Sequence, residues 1–253
     1  MNATTSAMQA ADMEFVLLCG ITPDTYRRIL DAIGDFHLRH TYDGCTLEIR
    51  RLLHGVPPES YRKLLDALPN HYLQHSYDGW TLEMMTPRFD HEWVKGLLGR
   101  MLEAMALALD IPLHSVGSTT LCAAADSQGL QPDESYYIGP SIRAHSQGTF
   151  RPGEDPPPDL TIEVDVTSSV VPRLPLYAQI GVPEIWRHSA GQIRFYRLSE
   201  KREYVEIDCS VAFPFIKPGD IQRFVEQRHE KSDNAIVREF VAWAQDAYAA
   251  RKS

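Results

Sequence analysis

Basic residues are in short supply: 25 Lys and Arg stand against 34 Asp and Glu, a formal net charge of −9. That deficit excludes bulk adhesion to polyanions as a mode of action, so any nucleic-acid-facing surface has to be local. Long apolar runs are missing as well. The run from Phe15 to Cys19 is too short for a membrane span or a signal-peptide core, and Met1 to Ala11 carries no basic residue. Nor are the cysteines paired by spacing. Cys19, Cys45, Cys122 and Cys209 offer no CxxC for zinc or redox chemistry, and read as small buried residues in a reducing compartment. A cytoplasmic protein with no membrane partner is expected. What the chain does have is enough apolar residue, 43% of 253, for one sizeable core in one large domain or one domain with an appendage.

Two stretches match without a gap at an offset of 35 residues. The first runs from Gly20 through Tyr26 and Asp31 to Tyr42-Asp43-Gly44 and Glu48. The second runs from Gly55 through Tyr61 and Asp66 to Tyr77-Asp78-Gly79 and Glu83. Each copy reads as a short helix opened by proline with an acidic first turn, followed by a hairpin turning at Tyr-Asp-Gly. A solenoid needs about three such units to close a core, and a third is lacking, so the pattern is a local duplication. The expected division is residues 1–54 as an extension with the first copy, and residues 55–253 as the main domain beginning with the second.

After Pro87, Val94, Leu97, Leu98, Met101, Met105, Ala108 and Leu109 recur at helical spacing, with Asp90 as N-cap. Strands are expected at Ser118 to Ala123, Ser135 to Ile138 and Leu160 to Val166, then a short helix from Val171 to Ile180 closed by Gly181. Further strands follow at Glu184 to His188, Ile193 to Leu198 and Tyr204 to Ile207, and a last helix from Asn234 to Ala250. Helix, three strands, helix and further strands predict an α+β fold, a mixed sheet with helices against it.

The segment Pro156-Pro157-Pro158-Asp159-Leu160-Thr161-Ile162-Glu163-Val164-Asp165-Val166 is the most informative. Alternation puts Leu160, Ile162, Val164 and Val166 on one face and Asp159, Thr161, Glu163 and Asp165 on the other. Two readings are open: a metal site, because a buried unpaired carboxylate costs several kcal/mol, or a one-sided strand whose acidic face meets water. Asp159 lies about 13 Å along the strand from Glu163, too far to share an ion, and reads as a structural residue where the strand begins. The nearest upstream acid at the start of a strand is Asp133, and a long hairpin would bring it beside Glu163. Two such carboxylates suit Mg²⁺ or Mn²⁺, which favour oxygen ligands and retain several waters.

These residues resemble the Uma-two group of restriction endonucleases, relatives of the PD-(D/E)XK nucleases. The resemblance is carried by Tyr77 to Pro87, His91-Glu92, Val116 to Leu121, Pro132 to Ile138, Pro157 to Ser169 and Gly181 to Arg187. It implies a restriction-endonuclease-like core in which Asp133 and Glu163 are the acidic pair and metal ligands, with Mg²⁺ (or Mn²⁺) as cofactor and DNA as substrate. The motif lysine would stand two residues after the glutamate, where this chain has Asp165; in this group it moves to the following helix, where Arg173 stands. Arginine is no simple substitute, since its planar fork stays protonated. Asp165 is then expected to support the site rather than bind metal, and His91 and Glu92 to orient water or complete the shell.

Glu83 also matches the group, but Glu48 repeats it in the other copy, which favours a structural role. Tyr177 and Trp186 read as core residues. Arg143, His145 and Arg151 form the best local basic segment for phosphate contact. Cutting two strands is natural for a symmetric homodimer. The competing reading is a nuclease-like scaffold that no longer cuts and serves as a nucleic-acid-binding or protein-interaction module.

Overall fold

Helix and strand signals of the sequence settle into two compact units in the computed structural model, which describes residues 15–18, 21–33, 40–42, 47–50, 52–68, 74–85, 89–123, 128–143, 150–165 and 172–252. Expectations for Met1 to Ala11, Cys19, the Asp43-Gly44 turn, Cys45, His145, residues 166–169 and Val171 lie outside the described residues, as do those for the side chains of Glu48 and Arg143.

Unit 1 comprises Met1–Pro87, Cys122–Leu130 and Ser169–Arg173, so both repeat copies belong to it. Each copy contributes a strand, a helix and a hairpin: β1 (Phe15–Leu18), α1 (Pro23–Ile33), β2 (His40–Tyr42) and β3 (Leu47–Arg50), then β4 (Leu52–His54), α2 (Pro58–Ala67), β5 (Gln74–Tyr77) and β6 (Thr81–Met85). Strand order is β1-β3-β2 in one sheet and β4-β6-β5 in the other. The duplication therefore includes a leading strand that its short apolar run had hidden. The second sheet continues through β9 (Gly129–Leu130) and β8 (Leu121–Cys122), the latter straddling the division between the units.

Chemistry repeats along with topology. Tyr26 stacks on Tyr42 with ring centroids 4.2 Å apart, and the Tyr42 hydroxyl donates to the Ile21 carbonyl at 2.8 Å. Thirty-five residues on, Tyr61 stacks on Tyr77 at 4.3 Å, and the Tyr77 hydroxyl donates to the Val56 carbonyl at 2.5 Å. The Tyr-Asp-Gly signal works as expected in the second copy. Asp78 Oδ1 accepts from the Trp80 and Thr81 amides, and Gly79 takes φ 97°, a left-handed angle that favours glycine.

Unit 2 comprises Arg88–Leu121, Gln131–Ser168 and Leu174–Ser253. It opens with α3 (Phe89–Ala108), with Asp90 in the first turn, where its charge complements the helix dipole. Then come β7 (Leu113–Ser115), β10 (Glu134–Ile138), β11 (Leu160–Asp165), α4 (Arg173–Ile180), β12 (Glu184–Ser189), β13 (Gln192–Leu198) and β14 (Tyr204–Ile207), with α5 (Pro218–Val225) and α6 (Asp233–Lys252) after them. One sheet runs β14-β13-β12-β11-β10-β7; β11 and β12 are parallel and every other pair antiparallel. The expected order of helix, three strands, helix and further strands is realised, but the first of the three strands is β7. The predicted strand at Ser118 to Ala123 shortens to β8 because a turn precedes it: Gly117 has φ 56°, and Val116 O accepts both the Thr119 amide and its hydroxyl.

One sheet face, with Leu160, Ile162, Val164, Trp186 and Phe195, packs under α3, α5 and α6 with Val94, Leu97, Met101, Ile221, Phe224, Ile236 and Phe240. Burial of each such side chain contributes about 2 kcal/mol. Pro175 lies in the first turn of α4, where its missing N–H costs no helical bond, and Gly181 (φ 96°) closes the helix by donating to Tyr177 O at 2.8 Å. No helix among the described residues is long and apolar enough to cross a membrane.

Glu184 is a buried acid with a structural task. Its carboxylate accepts from Trp186 Nε1 at 2.7 Å and from the Val211 and Ala212 amides at 2.9 and 2.7 Å, pinning the segment after β14. Burial outweighs these bonds and raises its pKa above the ordinary 4.5. The proton therefore leaves the unfolded chain first, and the stability this group contributes is fullest below pH 4.5 and declines as pH rises through the raised value. We expect Glu184→Ala, which strands three donors, to cost about 3 kcal/mol by urea unfolding, and the advantage of wild type over Glu184→Gln to shrink across that pH window. A flat difference would contradict the assignment. Tyr42→Phe and Tyr77→Phe should each cost about 1 kcal/mol, read as parallel shifts of the urea midpoint; unequal effects would mean that the two copies are not energetically alike.

Candidate active site

Burial bears on the two readings of the acidic strand. Residues Leu160 to Val164 are buried on both faces, and Glu163 is only 4% exposed, so this acid does not meet water. The expected strand pairing forms. β10 and β11 pair antiparallel with Glu134 opposite Ile162, and Asp133, the residue directly before β10, accepts from the amide of Val164, the residue directly after Glu163. Asp133 is 2% exposed.

Val164, His91 and Tyr177 are among the neighbours that hold these acids. Asp133 Oδ2 accepts from the Val164 amide at 2.6 Å, and Oδ1 lies 3.1 Å from His91 Nε2. Glu163 Oε1 accepts from the Tyr177 hydroxyl. His91 in turn sets Nδ1 3.0 Å from Glu92 Oε1, and Lys95 Nζ is 3.6 Å from Glu92 Oε2. His91 starts the buried stripe of α3, three residues before Val94, and so faces inward with the core residues. Burial works against a charged imidazole there, but the hydrogen bonds and charges of Asp133 and Glu92 outweigh it and hold the His91 pKa above its ordinary value.

The other candidates have partners of their own. Asp165 is ion-paired to Arg187 at 2.5 Å. Asp159 serves the fold, accepting from the Ile138 amide at 2.7 Å and the Ser141 hydroxyl at 2.9 Å. Arg173 belongs to unit 1, where its Nη1 donates to Ser76 Oγ at 2.7 Å. Arg151, expected as a phosphate contact, pairs with Glu154 at 2.7 Å within its own loop. Trp186 is core, stacked on Phe195 at 4.5 Å. Tyr177 is fully buried, as its apolar ring predicts, yet its hydroxyl serves Glu163. Sequence reasoning missed that contact; the available signal was its place in the crossover helix directly after the acidic strand.

The donor set suits a hard divalent cation: two buried carboxylates on adjacent strands, all oxygen. Among the described residues no group of three or more His, Cys, Asp or Glu stands ready to hold a metal. Magnesium needs no such cage, since one or two carboxylates with water and phosphate complete its shell.

A mixed sheet with an antiparallel β10–β11 pair, a helix crossing from β11 to the parallel β12, and helices packed on one face is the α+β architecture that the sequence leads one to expect. Residues 58–221 match the family described as Uma2, putative restriction endonuclease, and the chain belongs to it. A crystal structure described as a putative nuclease belonging to DUF820 from Anabaena variabilis is similar at TM-score 0.46 and 16% identity, over 67% of this chain and 99% of that one. No curated protein matches.

Asp133→Ala should cost about 2–3 kcal/mol, because the Val164 amide and His91 then lack a buried acceptor. Asp133→Asn, whose carbonyl oxygen still accepts, should cost less. Equal urea midpoints for the two variants would remove the Val164 bond from the account.

Proposed function

We propose that this protein is a metal-dependent endonuclease that hydrolyses phosphodiester bonds of DNA. The observation that supports the reading is the burial of two carboxylates, Asp133 directly before β10 and Glu163 within its partner strand β11, each accepting from a fixed donor. In this reading Asp133 and Glu163 hold Mg²⁺ or Mn²⁺. The chemistry supplied by a bound divalent cation is polarisation of the phosphate and activation of a water nucleophile.

The chain's own residues do the rest. The Val164 amide and Tyr177 hydroxyl keep the carboxylates in one rotamer, so no reorganisation is needed when charge develops. His91, held between Asp133 and Glu92, keeps a proton at Nε2 and sets the direction of Asp133. Glu92, 45% exposed, is the member of this chain that reaches solvent and would orient water. Arg173 enters from the resemblance, as the group that stabilises charge on the phosphate.

A second reading has an observation of its own. The position two residues beyond Glu163, where the motif places lysine, holds Asp165 locked to Arg187. That favours a nuclease-like scaffold that binds nucleic acid or a protein without cutting.

Plasmid nicking with Mg²⁺ or Mn²⁺ separates the two. We expect cleavage by wild type, none by Glu163→Ala, and about tenfold less by Tyr177→Phe. Undiminished nicking in Glu163→Ala would remove Glu163 from catalysis, and no nicking by folded wild type with either metal would leave the scaffold reading.

A further inference from the structure

The sheet face that holds Glu163 continues into a cationic row. Across β11, β12 and β13 the register sets Glu163 opposite Arg187, and Arg187 opposite Arg194. Strands are about 4.8 Å apart, so the arginine Cα atoms lie one and two strand spacings, about 5 and 10 Å, from that of Glu163. The alternation fixes the face. Ile193 and Phe195 are buried on the helix-covered side, while Gln192 and Arg194 are exposed on the other. Arg187 shares that side because it pairs with Asp165, which shares the face of Glu163.

Like charges directly opposite each other on a sheet are unfavourable, and nothing in the fold requires two arginines here. Asp165 compensates one of them. Arg187 remains 36% exposed beside a carboxylate that is 14% exposed, and Arg194 Nη2 donates to Gln192 Oε1 on its own strand at 2.9 Å. In a chain with net charge −9, two arginines in register on neighbouring strands, one of them opposite Glu163, match a row of anions rather than a single one.

We propose that Arg187 and Arg194 form a phosphate track that positions one nucleic-acid strand across the sheet towards Asp133 and Glu163. The occupant is a phosphodiester backbone; its assignment as nucleic acid rests on the nuclease reading, but the track is tested by binding alone. Both residues are positioning residues: they hold flanking phosphates and leave the reacting atoms to the acid pair. Contact to phosphate carries no base information, so the track weakens or strengthens all sequences alike.

The experiment is fluorescence anisotropy of the full chain with labelled DNA duplexes of two unrelated sequences and a matching RNA duplex, in EDTA to prevent turnover, across a salt series. Arg194→Gln, at an exposed position, should bind both DNA sequences about tenfold more weakly and flatten the log-affinity against log-salt slope by about 1. Arg187→Gln should act in the same direction, and Arg187→Lys should recover part of the affinity while losing the fork. An equal loss on RNA supports the same phosphate chemistry. Wild-type affinity and slope in both glutamine variants, or no binding of any duplex by wild type, would overturn the track. The nicking assay keeps the two readings apart. Arginine-dependent binding without nicking rejects the nuclease alone, whereas nicking with arginine-independent binding rejects the track alone.

Discussion

Two carboxylates buried side by side are the constraint around which unit 2 is arranged. Asp133 directly precedes β10 and Glu163 lies in β11, both out of water, an arrangement that opposes folding unless each carboxylate is met. Each is met by a group that the fold already has to supply. The Val164 amide belongs to β11 itself, and His91 is the first residue of the helical stripe that covers the opposite face of the sheet. Tyr177 lies on the helix that any parallel β11–β12 connection requires.

The remaining polar residues of unit 2 divide by what they touch. Glu184 and Asp159 are buried or half-buried acids satisfied by backbone amides, and they close loops onto strand ends. Asp165 is ion-paired to Arg187, which stands opposite Arg194 on the next strand. Unit 1 follows a different logic. Its two copies repeat a stacked tyrosine pair and a hydroxyl-to-carbonyl bond at the same spacing, so each helix is clamped to its hairpin by the same two contacts.

Much of this was legible in the chain. The acidic alternation of Asp159 to Asp165, the antiparallel pairing of β10 with β11, the helix carrying Val94 to Ala108, and the duplication all carry local signals that survive folding. What escaped were elements too short to have a period, such as β7, β9 and the leading strands of the repeat. They exist only because a neighbouring strand offers hydrogen bonds. The hydroxyl of Tyr177 escaped for a related reason: its ring predicts burial, and only the crossing of the helix over the sheet decides what the oxygen meets.

The sequence by itself determined which residues could be buried and on which strand face each acid would lie, because side-chain alternation and helical spacing are properties of the backbone alone. It also determined family membership, through motifs spread over residues 58–221. Tertiary structure decided the register that sets Glu134 opposite Ile162 and Arg187 opposite Arg194, and the partners of His91, Asp165 and Arg173. Those depend on which strand lies next to which, and pairing across a sheet is set by the packing of the whole unit rather than by any one segment of the chain.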